Sequence, residues 1–437
     1  MKRISLLGSL LLLLPWYYAV GQNQVPQISN VKVTIDDSAK RLDLTYDLAD
    51  AEETEATVYF SISDDGGRRF MVPTDNAEGD LGAAVAMGTG KHIHWDYAAL
   101  DLDLAKLHFR LVADDGYDIP MAELLAKVDT NRLRSLGQQI TIHRHHNDEA
   151  GLTKLERVRS IIEEEFSAVG LDLRRQEVFF GSFSGQNVLA RKGGMVKEAS
   201  NFVVMSSFDS VPSRPGNVIN SSGMVGVLEA MRILAEYDFA HSIRGNAYDM
   251  SYPEYRGSNF FVWEESGLPA DETIGGAIYL DGIGSDQYEA QRMPEELLAY
   301  LPGWPQQDYQ GSFVFNFANE RSYPLFQMFN QAAQENVPGL QISGLPVPGH
   351  GEDAYVLQSG DHAPFWYHHY PALKVTTYMG MRPLPIPEDK TPSEAFLELN
   401  SVVAIADIVK ATIATVAKGA QIMHCVRYEA PVVNEIN

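Results

Sequence analysis

The sequence predicts an all-β sandwich followed by an α/β domain with a mainly parallel, mixed sheet and helices on both faces. Three observations carry this. The chain has 437 residues, more than one ordinary hydrophobic core organises. From about residue 28 to 117, apolar and polar residues alternate in short runs separated by turn residues, the pattern of strands with one buried face. From about residue 123 onward, strand-like runs alternate with segments of helical spacing, which implies strands joined through helices. The expected organisation is a leader at 1–21, a sandwich at 22–120 and an α/β domain at 123–437.

The leader comes first in chain order. Lys2 and Arg3 precede a compact apolar run from Leu6 to Pro15, and Ala19-Val20-Gly21 offers small residues for cleavage. That order reads as a secretory signal peptide, with an apolar run too short for a comfortable membrane span. No cysteine lies nearby to carry a lipid anchor. No later stretch approaches the about 18 unbroken apolar residues of a spanning helix. The expected location is periplasmic or extracellular, and bacterial. Cys425 is the only cysteine, so neither an intrachain disulfide nor a Cys-based zinc site is available. Hydrophobic residues make up 45% and charged residues 21%, as in soluble globular proteins. Acids exceed bases by 58 to 34, a net charge of −24, which argues against nucleic acid and anionic membrane surfaces as partners.

In the sandwich, Val31, Val33 and Ile35 alternate with polar neighbours, as do Leu42, Leu44 and Tyr46, and Val58, Phe60 and Ile62. Asp64-Asp65-Gly66-Gly67 and Gly88-Thr89-Gly90 are turn signals. Leu107 to Val112 reads as a last strand. The stretches SDDGGRRF and GKHIHWD resemble an immunoglobulin-like module found ahead of catalytic domains in exported bacterial proteins. His92 and His94 alternate on one strand, short of the three or four ligands a metal needs.

In the α/β domain, Thr153 to Glu156 matches a capping box, and Leu155, Val158, Ile162 and Phe166 follow at helical spacing up to Gly170. Strands are expected at 187–191, 201–206, 275–280 and 372–378, and helices at 222–237, 324–334 and 395–416. The segments 302–309 and 339–352 read as loops. Ligands in such sheets bind beyond the carboxyl ends of the strands. Four polar clusters fall there: Ser206 to Val211, Pro215 to Gly223, Asp281 to Gly284, and Gly360 to Phe365.

In order and spacing these clusters resemble the co-catalytic zinc aminopeptidases (metallopeptidase family M28, the group that includes glutaminyl cyclases). The likeness spans roughly 125–417 and rests on FDSV, PG…NSSG, GVLEAMRILAEY, RGS, LDGIG and GDHAPF. It implies a site for two zinc ions that share one bridging Asp, with a Glu as general base. Carried over by position, the family's first His ligand falls on Ser207, and its motif Asp is present as Asp209. The bridging Asp falls on Ile219, and the Glu-Glu pair falls on Ser251 and Tyr252. The terminal Asp ligand is kept as Asp281 and the last motif His as His362. A further His falls around Ile386. Two remaining protein ligands, Asp281 and His362, are fewer than the three a catalytic zinc normally has.

Candidate replacements are Asp249 and Glu254 beside the lost pair, and Asp361 and His350 near His362. His143, His145 and His146 read as a solvated loop, and His368-His369 as packing residues. Ser207 and Ser210 lack a nucleophile elbow. The resemblance therefore implies an exported aminopeptidase-like pseudoenzyme that binds peptides or protein partners and needs no cofactor. The alternatives are an active zinc aminopeptidase with displaced ligands and a single-zinc cyclase-like acyltransferase.

Overall fold

The alternation near the start of the chain forms two four-stranded antiparallel sheets. One has the order Gln27–Asp36, Arg41–Ala49, Gly88–Asp96, Glu78–Gly79. The other has the order Cys425–Pro431, His108–Asp114, Glu55–Ser63, Gly82–Ala86. Leu42, Leu44 and Ile93 from the first face Val58, Ile62 and Leu111 from the second across one core, and Phe60 meets Trp95 edge-on at 6.3 Å. The computed structural model describes residues 23–210, 218–252, 254–264, 266–289, 305, 307–378 and 390–432. The leader 1–21, Pro215 to Asn217 and Ile386 lie outside these, as does the side chain of Ile219.

The boundary at 123–437 needs correction. Cys425–Pro431 pairs with His108–Asp114, so the sandwich takes its edge strand from the far end of the chain. His92 pairs with Asp43 at 3.4 Å and His94 with Glu78 at 3.2 Å, exposed ion-pair geometry on the outer face of the first sheet.

The α/β domain is built on eight strands: β1 (Asp172–Phe180), β2 (Phe183–Lys192), β3 (Lys197–Ser207), β4 (His241–Tyr248), β5 (Thr273–Asp281), β6 (Phe313–Ala318), β7 (Gln341–Pro346) and β8 (Ala372–Thr376). The sheet order is β7-β6-β8-β5-β3-β4-β2-β1. The central strands β4, β3, β5 and β8 are mutually parallel, while β1 and β2 are antiparallel additions and β6 runs against β8. Side chains alternate faces along a strand. Accordingly, Phe202 and Val204 of β3 enter one hydrophobic cluster and Val203 and Met205 enter the other.

The described helices are α1 (Met121–Leu125), α2 (Thr130–Ile140), α3 (Glu149–Ala168), α4 (Val218–Leu234), α5 (Arg256–Trp263), α6 (Tyr323–Asn336), α7 (Ala363–Tyr367), α8 (Pro392–Leu399) and α9 (Val402–Gly419). Buried residues of α2, α3, α4, α6 and α9 cover the first face, and those of α5 and α7 the second.

Three elements depart from the sequence expectation. Helix α3 starts at Asp148, whose carboxylate accepts from Gly151 N at 2.7 Å. The Thr153 hydroxyl instead donates to the Glu149 carbonyl inside the helix. The expected helix 395–416 is two helices bent by 73°, because Asn400 donates back to the Phe396 carbonyl and Ser401 caps α9. Gln341–Pro346, read as loop, is a partly exposed edge strand pairing with β6.

Candidate functional site

The carboxyl ends of the parallel strands bring the polar clusters to one side of the sheet. Ser207 ends β3, Tyr248 lies opposite it at the end of β4 with Asp249 just beyond, and Asp281 ends β5 opposite Thr376 of β8. Helix α4 approaches from below. A Cβ on Gly223 would lie 2.1 Å from the Leu280 carbonyl oxygen, so only glycine admits this packing. That is the physical content of the NSSG motif.

Tyr279, buried on β5, is the hub. Its hydroxyl is hydrogen-bonded to Ser207 and to Asp361, and its ring stacks on His362 at 5.9 Å. Ser207 also accepts from Asn220 Nδ2 at 3.1 Å. Asp361 accepts from Ser251 Oγ and from Ser258 Oγ, each at 2.6 Å. Burial lifts the Asp361 carboxyl to about 6 despite these donors.

Asp281 is held by a residue that the sequence reading did not single out. Lys374, on β8 beside Tyr279, places Nζ 2.9 Å from Asp281 Oδ2 and donates to the Ser359 carbonyl at 2.6 Å. The lysine side chain is only 6% exposed, so this cation sits inside the protein. Its one sequence signal is a lysine within the otherwise apolar run Ala372-Leu373-Lys374-Val375.

His362 is fully buried. Its Nε2 donates to the Leu357 carbonyl at 2.7 Å, and its ring packs edge-on against Trp366 at 4.6 Å. Among the described residues, Nδ1 has no hydrogen-bond partner. Burial, with the Lys374 charge adding to it, holds the imidazole well below its ordinary pKa.

Asp209 is buried and accepts from the backbone N–H groups of Ser251 and Tyr252. Burial first, then the negative charge of Asp249, raises it to about 7, with His146 opposing. Asp249 points elsewhere. It accepts from His146 Nε2 at 2.7 Å, Arg159 Nη2 at 2.9 Å and Gln186 N at 2.9 Å. Burial acts to raise its pKa, but these donors outweigh it and hold Asp249 low.

Of the loop 143–146, His143 stays partly exposed while the three residues after it are tied into the protein. His146 reaches Asp249, His145 is buried, and Arg144 is completely enclosed, donating to the Phe208 carbonyl and to Ser221 Oγ. Spacing read against a helix face misses a loop whose successive residues are anchored one by one.

Of the proposed replacements, Glu254 is exposed and pairs with Arg256. His350 donates through Nδ1 to the Trp366 carbonyl at 3.0 Å. His368 lies against Trp263. Tyr252 is 69% exposed beside this loop. Met250, Glu254 and Tyr255 all have positive φ, of 52°, 69° and 52°, a concentration of left-handed non-glycine backbone where the family's Glu-Glu pair falls.

Zinc can be tested against this geometry. Among the described residues, no group of three or more His, Cys, Asp and Glu is placed to hold a metal ion. Asp281 is held by an ammonium, Asp361 by two serine hydroxyls, and His362 spends Nε2 on a carbonyl. The residues present do not fit the metal.

Outside this centre lies an open depression of about 340 Å³ between α5 and the turn before α7. Glu254, Asn259, Gln358 and Tyr367 line it, and Ser359, whose carbonyl accepts a hydrogen bond from Lys374, also borders it.

The α/β domain shares its fold with solved aminopeptidase structures, and the comparison with solved structures makes the particular likenesses plain. LapB from Legionella pneumophila superposes with a TM-score of 0.52 at 14% identity, over 70% of this chain and 77% of that one. LapA from the same organism gives 0.51 at 15% identity, over 70% and 78%. An aminopeptidase from Aneurinibacillus sp. strain AM-1 gives 0.51 at 10% identity, over 73% and 98%. No family model matches the chain, and no curated protein sequence does. No single described helix is long and apolar enough to cross a membrane.

Proposed function

We propose that this chain is an exported aminopeptidase-like pseudoenzyme that binds a peptide or protein partner without cutting it. One observation carries the reading: the carboxylates at the strand ends are answered by donors from the protein itself. Asp281 faces Lys374, and Asp361 faces Ser251 and Ser258. A hydrolytic metal site needs free ligands and an open position for water. The positions of the family's general base and its neighbour hold no carboxylate, since Ser251 is committed to Asp361 and Tyr252 is a phenol facing solvent. Asp281 and His362 are remnants of the ligand set, and Ser207 and Ile219 its lost positions.

The depression bordered by Glu254, Asn259, Gln358 and Tyr367 is where a partner segment would sit. Export rests on the leader at 1–21. The displaced-ligand alternative draws no support from Asp249 or Glu254, each paired away from Asp281.

The test is direct. The mature chain is purified, its zinc measured by elemental analysis, and its turnover of aminoacyl fluorogenic substrates assayed with added zinc. Stoichiometric zinc with chelator-sensitive turnover would sink the pseudoenzyme reading. Retention of peptides on the wild-type chain, reduced in Tyr367→Ala at unchanged Tm, would support it.

A further inference from the structure

We infer that Lys374 is a built-in replacement for a metal: its ammonium supplies the positive charge that balances Asp281 at the strand ends, and so makes the folded centre independent of any bound cation. This deepens the pseudoenzyme reading at the same site.

The geometry is specific. Lys374 Nζ lies 2.9 Å from Asp281 Oδ2 and 2.6 Å from the Ser359 carbonyl, so two of its three protons have identified acceptors. The side chain is 6% exposed. A buried ammonium is costly unless it is paired and hydrogen-bonded, and a buried carboxylate likewise. Asp281, whose side chain is 23% exposed, is the partner that makes the buried lysine tolerable. Position also matters. Lys374 pairs in register with Tyr279 on β5, the residue that ties together Ser207, Asp361 and His362. The lysine thus enters the centre from the sheet itself.

The surrounding ligand positions have changed to match. A fixed monovalent cation satisfies one carboxylate and leaves no charge for a second. The other carboxylate at the centre, Asp361, is accordingly met by neutral hydroxyls of Ser251, Ser258 and Tyr279. Asn220 donates to Ser207, where the family resemblance implies a histidine. The set is consistent as a lysine-centred network, and inconsistent as a zinc site from which the metal has been lost.

The experiment uses the full mature chain and four forms: wild type, Lys374→Met, Asp281→Asn and the double variant. Thermal unfolding is followed with chelator and with added zinc, together with the zinc content of the wild type as purified. The expected result has three parts: zinc far below one per chain, a wild-type Tm unmoved by chelator or zinc, and a double variant that recovers much of the Tm lost by Lys374→Met. Recovery is expected because removing Asp281's charge removes the unpaired ion that the methionine leaves behind. If Lys374→Met does not fold, recovery of a folded double variant gives the same answer. The inference is overturned by stoichiometric zinc whose removal lowers the wild-type Tm, or by effects of the two substitutions that simply add. Absence of peptide binding would count against the partner-binding reading and leave this one standing.

Discussion

Arg110, on the sandwich strand that pairs with the C-terminal strand, reaches across to Glu198 at the start of β3, with Nη1 3.5 Å from Oε2 and both side chains buried. The same guanidinium binds Glu429 Oε1 at 2.7 Å and stacks over Phe70 at 3.8 Å. Glu198 in turn takes Arg191 and the Phe70 backbone N–H. The sandwich and the α/β domain are thus joined by buried charge, not by a loose linker.

Arg110→Ala is expected to destabilise the protein by about 2–3 kcal/mol, the scale for hydrogen bonds to charged groups, since Glu198 keeps Arg191 as a partner. Chemical denaturation with one cooperative transition in both proteins is the check. Early loss of the sandwich alone in the wild type would contradict the coupling.

Asp209 gives a pH prediction. Its carboxyl is raised from 3.8 to about 7 in the folded state, so the unfolded chain loses this proton first. Between these values the native state binds more protons, and stability falls as pH rises. Asp209→Asn, which can still accept from the backbone N–H groups of Ser251 and Tyr252, is expected to remove that slope and to raise Tm at pH 7. Tm measured across this range, with Asp249 and His146 intact, is the readout.

His362 has the opposite sign. Its folded pKa lies well below 6.5, so stability is fully present above that value and is lost as pH falls below it. His362→Phe is expected to flatten this acid-side loss in Tm. At neutral pH it should cost about 1 kcal/mol for the missing bond to the Leu357 carbonyl, with the packing on Tyr279 and Trp366 kept.

The sandwich is expected not to fold as the fragment 23–120. That fragment lacks Cys425–Pro431 and leaves His108–Asp114 as an open edge. Appending 424–432 through a flexible linker should restore a cooperative thermal transition by circular dichroism. A cooperative transition in the bare fragment would refute the dependence.

Much of this molecule was legible from pattern alone. The strand alternation around Leu42 and Val58, the helix carrying Val227 and Met231, and the glycine at 223 are local features, and local features survive in one dimension. The positions Ser207, Asp209, Asp281 and His362 could be placed by motif spacing. Their partners could not. Lys374 meets Asp281 only because β8 lies beside β5 in a particular register, and Tyr279 becomes a hub only once β3, β5 and the turn before α7 are assembled. Arg144 and His146 were hidden for the same reason, since a loop's burial depends on what folds over it. The helix start at Asp148 was missed on a closer contest, in which two capping residues lay five positions apart and the earlier one won.

The strand Cys425–Pro431 has a consequence for synthesis. The hydrogen bond between Arg110 and Glu429 joins residues 319 positions apart, with the whole α/β domain between them. Loop closure over such a span comes late in folding. A chain made from its N-terminus must therefore carry an unfinished first domain until its last strand emerges. A product truncated before residue 425 never seals that edge, so completion of the sandwich reports that the α/β domain between its strands has been made.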